Sequence, residues 1–177
     1  VTNSPGTGAE LWAYVAPESY ARLPRLRQNS PMIAYSFLSS IIATPTPTPK
    51  DYFFDGSSGV YQTANNSTVH IFPTMRRGGR MIYAFDVTNP GTPSLLWKVG
   101  CPNLDDDSGC TTGMIGIGQT WSTPNVASIN VDGTVKPVVI VGGGYHNCED
   151  GSATGDCSAG KGSAIYVLDA ANGAVIR

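Results

Sequence analysis

The sequence predicts an all-β fold, a partial β-propeller of antiparallel meander blades, with one short helix near residues 17–27. Three observations predict it: the composition, a series of short strands between turn signals, and a strand phrase that occurs twice. Of 177 residues, 21 are glycine and 13 are proline, and only 14% are charged, against roughly 25% in ordinary soluble domains. So many turn-forming residues argue against a helical bundle.

The repeated phrase reads Ile-Tyr-Ala-Phe-Asp at 82–86 and Ile-Tyr-Val-Leu-Asp at 165–169. Each copy is followed by a turn signal and another apolar segment, which describes an antiparallel meander. Because one meander cannot bury both of its faces, it stacks beside copies of itself. Residues 11–15 resemble a third, degenerate copy without the aspartate. We expect the aspartate of each full copy to accept hydrogen bonds from backbone N–H groups of the following turn.

The individual elements follow from turn signals and apolar patterning. Pro17 suits the first turn of the predicted helix, and Pro24 limits that helix to about two turns. The Thr-Pro tract at 44–49 predicts an extended connector. Strands are predicted at 8–16, 32–42, 51–54, 60–62, 68–72, 81–87, 95–99, 119–123, 125–130, 135–141, 164–169 and 174–177.

The whole chain, residues 1–177, is interpreted as part of one propeller domain with about three blades. Blades usually take about 40–50 residues, whereas the two full copies are 83 residues apart. We therefore expect insertions near residues 43–50, 101–110 and 146–160. Since a closed propeller needs about four to eight blades, the chain is expected to associate with the remainder of its own propeller.

The four cysteines form two pairs of equal spacing. Cys101 and Cys110 bracket one polar loop, and Cys148 and Cys157 bracket another. Neither pair has the C-x-x-C spacing of a zinc or redox motif, so we expect two disulfides, each stabilising by about 2–3 kcal/mol. Such bonds persist in oxidising compartments, which predicts an exported protein. Metal ligation by Cys148, Cys157 and His146 is the competing interpretation.

Patterns of catalysis and metal binding are sparse. Asp105, Asp106 and Asp107 form the densest carboxylate cluster. They lack the alternating D-x-D-x-D-G spacing of a calcium loop, so we expect a solvated acidic loop, with a calcium site as the weaker alternative. No Gly-x-Ser-x-Gly nucleophile motif occurs, and neither His70 nor His146 has an evident catalytic partner. We expect no enzymatic activity and no cofactor.

Charge and hydropathy limit the partners. The net charge is −2, which does not suggest nucleic-acid binding, and no apolar run approaches the ~20 residues of a membrane span. Arg76, Arg77 and Arg80 form a basic turn that we expect to be a solvated hairpin tip, with contact to an acidic partner as the alternative. The glycines at 142–144 follow a strand but precede no helix, so we expect close strand packing rather than a phosphate site.

Several phrases resemble, in order, the C-terminal propeller domain of the PilY/PilC-type adhesins of bacterial type IV pili. The resemblance implies a pilus-tip protein that supports pilus assembly and surface attachment, with minor pilins and a host or abiotic surface as partners. It also implies export through the periplasm to the cell surface. The family's calcium loop is expected beyond residue 177, so that calcium concerns only the longer protein. The phrases lie at 8–15, 55–57, 77–90, 96–97, 119–124, 141–145 and 169–173.

Two other interpretations stay open at this point. Quinoprotein dehydrogenases also have an aspartate-x-x-Thr-Gly turn followed by tryptophan, close to residues 169–173, but they need a complete ring and a quinone. A generic extracellular binding or scaffold propeller, with no connection to pili, is the other.

Overall fold

A computed structural model of the chain describes Gly8 and residues 10–31, 50–150 and 160–177. Within these residues the chain forms antiparallel strands and one short helical segment, so the predicted fold class is confirmed. No helix in the described ranges is both long and apolar enough to cross a bilayer. The strands are β1 (Ser58–Gln62), β2 (Val69–Pro73), β3 (Arg80–Asp86), β4 (Ser94–Cys101), β5 (Asn125–Val131), β6 (Thr134–Gly142) and β7 (Ile165–Asp169).

The helical segment begins at Pro17 as predicted, but the expectation that Pro24 limits it to about two turns is wrong. Pro24 lies in the first turn of a second helix, where its missing N–H removes no intrahelical hydrogen bond. A 3-10 helix covers Pro17–Arg22, and α1 covers Leu23–Gln28. A second 3-10 turn, Asn147–Asp150, follows β6. The strand predicted at 32–42 and the connector predicted at 44–49 lie outside the described residues.

The described strands form two antiparallel meanders. The first sheet has the order β1-β2-β3-β4 and the second the order β5-β6-β7. In the turn between β5 and β6, Asp132 and Gly133 have φ values of 51° and 85°, which is the turn geometry that matches the twist of paired strands. A bridge between Leu168 and Val175 places the last segment beside β7. Each sheet has the form of a propeller blade, and the total of about three blades stays a prediction.

The two copies of the repeated phrase share a capping contact. Asp86 Oδ1 accepts a hydrogen bond from the Thr88 backbone N–H at 2.8 Å, and Asp169 Oδ1 accepts one from Ala171 at 2.9 Å. Lys136 Nζ also lies 2.7 Å from Asp169 Oδ2. The predicted capping role of the two aspartates is confirmed, and it fixes the direction of the chain after each phrase.

The two sheets pack face to face, and equivalent faces of both sheets point in the same direction. In β3, Ile82 faces a core shared by both sheets, whereas Tyr83 faces a second cluster. In β7, Tyr166 occupies the position equivalent to Tyr83, yet it faces the shared core, and Ile165 is 70% exposed. The tyrosine face of the second sheet therefore packs on the isoleucine face of the first, which is the relation between successive blades of a stacked repeat.

The outer face of β3 is covered by the N-terminal segment. The rings of Trp12 and Tyr14 lie 5.9 and 4.8 Å from the Phe85 ring, measured between centroids. The strands predicted at 8–16 and 51–54 are wrong in the described residues, where both segments lack a β ladder. Aromatic side chains of both segments pack against β3. The sequence pattern predicted that these side chains are buried, but it could not distinguish packing against a sheet from pairing within one.

Residues 118–120, which we call the seam, join the two sheets. Thr120 N donates to Gly79 O, in the turn before β3, at 3.1 Å, and Thr120 Oγ1 donates to Met81 O of β3 at 3.2 Å. Gln119 N donates to Tyr145 O at 2.7 Å, and Tyr145 N donates back to Gln119 O at 2.9 Å. The strand predicted here is thus reduced to two bridging residues, because the segment pairs on one side with the turn before β3 and on the other with the residues after β6.

Glu18 attaches the helical segment to the first sheet. Its carboxylate accepts a hydrogen bond from the Tyr83 hydroxyl and lies 2.6 Å from Lys98 Nζ. Burial disfavours ionisation of Glu18, but the hydrogen bonds from Lys98 and Tyr83 outweigh it, so its pKa is lowered. Burial and the neighbouring Glu18 raise the pKa of Tyr83. Glu18 is therefore charged and Tyr83 neutral at physiological pH.

We expect the helical segment to loosen in acid. Because the folded-state pKa of Glu18 is below its ordinary value of 4.5, the ion pair contributes fully above that pH and is lost as the pH falls through the lowered value. NMR amide shifts of residues 17–28, followed from about pH 6 to about pH 3, should report the change. Glu18→Gln should remove this transition; its persistence in that variant would assign it to another group.

Gly144→Ala should destabilise the chain more than Gly133→Ala. Both glycines have positive φ, 91° and 85°, so each alanine carries a backbone cost of about 1–2 kcal/mol. A methyl group at Gly144 would also overlap the Gln119 backbone oxygen at the seam, whereas nothing lies within 4 Å of one at Gly133. We expect about 1–3 kcal/mol of additional loss at Gly144, measured by urea unfolding. Equal losses of unfolding free energy in the two variants would show that the seam backbone can shift to accommodate the methyl group.

Candidate binding site

The first predicted disulfide is present in the structure. Cys101, at the end of β4, is bonded to Cys110, with Cα atoms 4.1 Å apart. Cys148 Sγ lies 2.9 Å from His146 Nδ1. Cys148 is disulfide-bonded, so it offers no thiolate and the competing metal interpretation is wrong. Cys157 lies outside the described residues, so the predicted pairing of Cys148 with Cys157 stays a prediction.

The acidic loop closed by this disulfide makes contacts to separate partners. Asp105 Oδ1 accepts a hydrogen bond from Asn147 Nδ2 at 3.1 Å. Asp106 Oδ1 accepts one from the Ser108 backbone N–H at 2.8 Å, and hydrogen bonds from Ser108 lower its pKa. Asp107 faces away toward two cationic side chains.

The structure does not gather these three carboxylates at one point. Among the described residues, Asp107 has two potential metal ligands nearby. Its carboxylate oxygen and the sulfurs of Cys101 and Cys110 lie within 4.8 Å of one another. Those two sulfurs are bonded to each other and offer no thiolate to a metal. The arrangement therefore differs from the converging oxygens that calcium requires.

Arg80 holds the acidic loop to the core of the protein. Its side chain is only 2% exposed, and its guanidinium lies 2.7 Å from Asp107 Oδ1. It also donates to the backbone oxygens of Ile117 and Asp106, both at 2.8 Å. Lys161 Nζ approaches Asp107 from the other side at 2.6 Å, and hydrogen bonds from Lys161 and Arg80 lower the pKa of Asp107. The expectation that Arg80 is solvated is wrong, because the loop folds back over it.

An open cleft lies next to the seam. It has a volume of about 480 Å³, within the range of about 300–1,000 Å³ typical of small-molecule sites. We call it the seam cleft. Its lining residues are Arg77, Trp121, Ser122, Gly144 and Tyr145.

The walls of the seam cleft are held by neighbouring contacts. The Arg76 guanidinium lies 4.3 Å from the centroid of the Trp121 ring, and the Trp121 and Tyr145 rings meet edge to face at 6.5 Å. Trp121 Nε1 donates to Gln119 Oε1 at 3.1 Å. Arg77 lies 5.2 Å over the Tyr52 ring. Cation–π and edge contacts of this kind orient aromatic side chains without covering them completely.

The seam cleft combines positive charge with exposed aromatic surface. Trp121 is 38% exposed, Arg76 is exposed and Arg77 half-buried, and none of the five lining residues is acidic. Such a site suits a small anionic ligand with an apolar face. Sequence analysis identified Arg76 and Arg77 as a basic turn but could not relate them to Trp121, since the bridge between Arg76 and Thr120 forms only in the folded chain.

Replacing Arg80 by methionine should strongly destabilise the chain. Methionine keeps much of the apolar stem but leaves buried backbone oxygens without donors, each costing about 1–3 kcal/mol. We expect a total loss of about 3–5 kcal/mol in urea unfolding. Arg76→Met removes the same charge from an exposed side chain and should change stability by less than about 1 kcal/mol. Similar losses in both variants would contradict the buried role of Arg80.

Comparisons with known proteins agree on one family. The family described as PilY1 beta-propeller domain matches residues 46–177. The type IV pilus biogenesis factor PilY1 of Pseudomonas aeruginosa UCBPP-PA14 is 28% identical over 164 residues, which cover 92% of this chain and 12% of the relative. The PilY1 protein of strain PAO1 is 26% identical over 128 residues, covering 71% of this chain and 9% of the relative.

A solved structure is also similar. The crystal structure of the P. aeruginosa PilY1 C-terminal domain aligns with a TM-score of 0.47 and 25% identity, covering 70% of this chain and 21% of that one. The chain thus spans 12% or less of the curated relatives described above. Because the family match extends over well more than half of its residues, the chain belongs to the PilY1 β-propeller domain family.

Proposed function

We propose that this chain is a non-enzymatic part of a type IV pilus biogenesis protein that supports pilus assembly and surface attachment. The observation that carries the proposal is the family match over residues 46–177, together with relatives named type IV pilus biogenesis factor. The chain acts as a rigid scaffold, and its partners are minor pilins, the remainder of its own propeller, and a host or abiotic surface.

The structure is compatible with an exported protein that presents loops on a rigid frame. The Cys101–Cys110 disulfide is a bond that persists in oxidising compartments. The loop that it closes is further held by Arg80 and Lys161 through Asp107. Function on such frames is commonly located in loops. A location at the cell surface and pilus tip is part of this proposal, and the family match supports it.

Deleting the gene should abolish surface pili and twitching motility in the source bacterium. Sheared pili are measured by immunoblot and motility by the width of the twitching zone, and the intact gene supplied in trans should restore both. Normal pili and motility in the deletion strain would refute the proposal and favour a scaffold without connection to pili.

The dehydrogenase alternative has a separate test. The purified full-length protein is incubated with pyrroloquinoline quinone and its absorbance and dye-linked alcohol oxidation are recorded. We expect neither a bound chromophore nor activity. A bound quinone with dehydrogenase activity would replace the adhesin proposal by an enzymatic one.

A further inference from the structure

We infer that the seam cleft binds an acidic saccharide, meaning a sugar ring that carries a carboxylate. This inference rests on the attachment role proposed above and names the ligand chemistry that the role uses. Four features of the seam cleft support it: its charge, its aromatic walls, its fixed shape, and neighbouring backbone N–H groups that are already hydrogen-bonded.

The charge of the seam cleft favours an anion. Arg77 lines it and Arg76 lies over Trp121, while none of the five described lining residues is acidic. Guanidinium groups bind carboxylates through paired, charge-assisted hydrogen bonds. The chain as a whole has a net charge of −2, so this positive character is local and not part of a general attraction for polyanions such as nucleic acids.

The aromatic walls favour a ring with an apolar face. Trp121 and Tyr145 meet at an interplanar angle of 73°, so they form two adjoining walls. The C–H face of a pyranose ring packs on such a surface, while the Ser122 hydroxyl provides a partner for sugar hydroxyls. A simple inorganic anion would leave the exposed Trp121 surface unused.

The seam cleft has a fixed shape. Arg76 adopts a left-handed conformation with φ 49°, held by its bridge to Thr120. Gly144 approaches the Gln119 backbone closely enough to exclude any side chain, which sets the position of the next residue, Tyr145. A site held in this way loses little conformational entropy when a ligand binds.

Three backbone N–H groups beside the seam cleft are already hydrogen-bonded, which argues against an extended peptide as the ligand. Gly118 N, Gln119 N and Tyr145 N all donate to backbone oxygens across the seam. A peptide that adds a strand needs free main-chain donors and acceptors. Recognition at the seam cleft therefore depends on side chains, as expected for a saccharide.

Titration calorimetry with trigalacturonate tests the inference on the purified full-length protein. We expect binding that weakens with added salt, and a neutral galactose trimer should bind at least about tenfold more weakly. Arg77→Gln should weaken trigalacturonate binding about 10- to 100-fold, the loss expected for a charge-assisted hydrogen bond. Trp121→Ala should also weaken it, with partial recovery in Trp121→Phe. Arg27→Gln, which removes an exposed charge from α1, serves as the matched control and should leave the affinity unchanged.

Several results would overturn the inference. These are no detectable binding, equal affinity for the neutral trimer, unchanged affinity in an Arg76→Gln/Arg77→Gln double variant, or tighter binding of oligoglutamate than of trigalacturonate. Circular dichroism confirms that each variant is folded before its affinity is interpreted.

A cell-based measurement separates this inference from the proposed function. Bacteria producing the double variant should have normal pili but attach poorly to polygalacturonate-coated surfaces. Normal pili with undiminished attachment would refute the saccharide site and leave the pilus role intact. The gene deletion tests only the pilus role. Whether that strain lacks pili therefore says nothing about the seam cleft.

Discussion

The hydrogen bonds of residues 118–120 connect both sheets at once, and the remaining features of the molecule depend on this connection. Thr120 is bonded to the turn before β3, and Gln119 is bonded to Tyr145 after β6. A further contact is made by Trp97 Nε1 of β4, which donates to Ala170 O, just after β7, at 3.0 Å. The shared core lies between the two sheets, and the seam cleft opens beside these hydrogen bonds.

Arg80 extends the same constraint to the surface. Arg80 is the first residue of β3. Its side chain bonds to Ile117 O, just before the seam, and pairs with Asp107 in the disulfide-closed loop. A loop that composition alone would describe as flexible and solvated is therefore tied to the core by covalent and ionic contacts. A loop held this firmly has a constant surface, as loops on a rigid frame commonly have where they bind.

The sequence was a good guide to strands and a partial guide to sites. Local turn chemistry predicted the caps made by Asp86 and Asp169, because each cap depends on residues two positions apart. The strand predicted at 8–16 failed because apolar content reports burial but not the element that provides it. Arg80 was misplaced because a charged residue in a glycine-rich turn is exposed unless distant carbonyl groups surround it, as they do here.

By itself, the sequence determined the all-β class, the repeated meander, the Cys101–Cys110 bond and the family, since these follow from local patterns and ordered motifs. Only the tertiary structure decided that the two phrases present opposite faces to a common core and that Arg76 lies over Trp121. The physical reason is that both facts depend on contacts between residues about 45 or more positions apart. Such contacts are set by the packing of whole sheets, which no local pattern encodes.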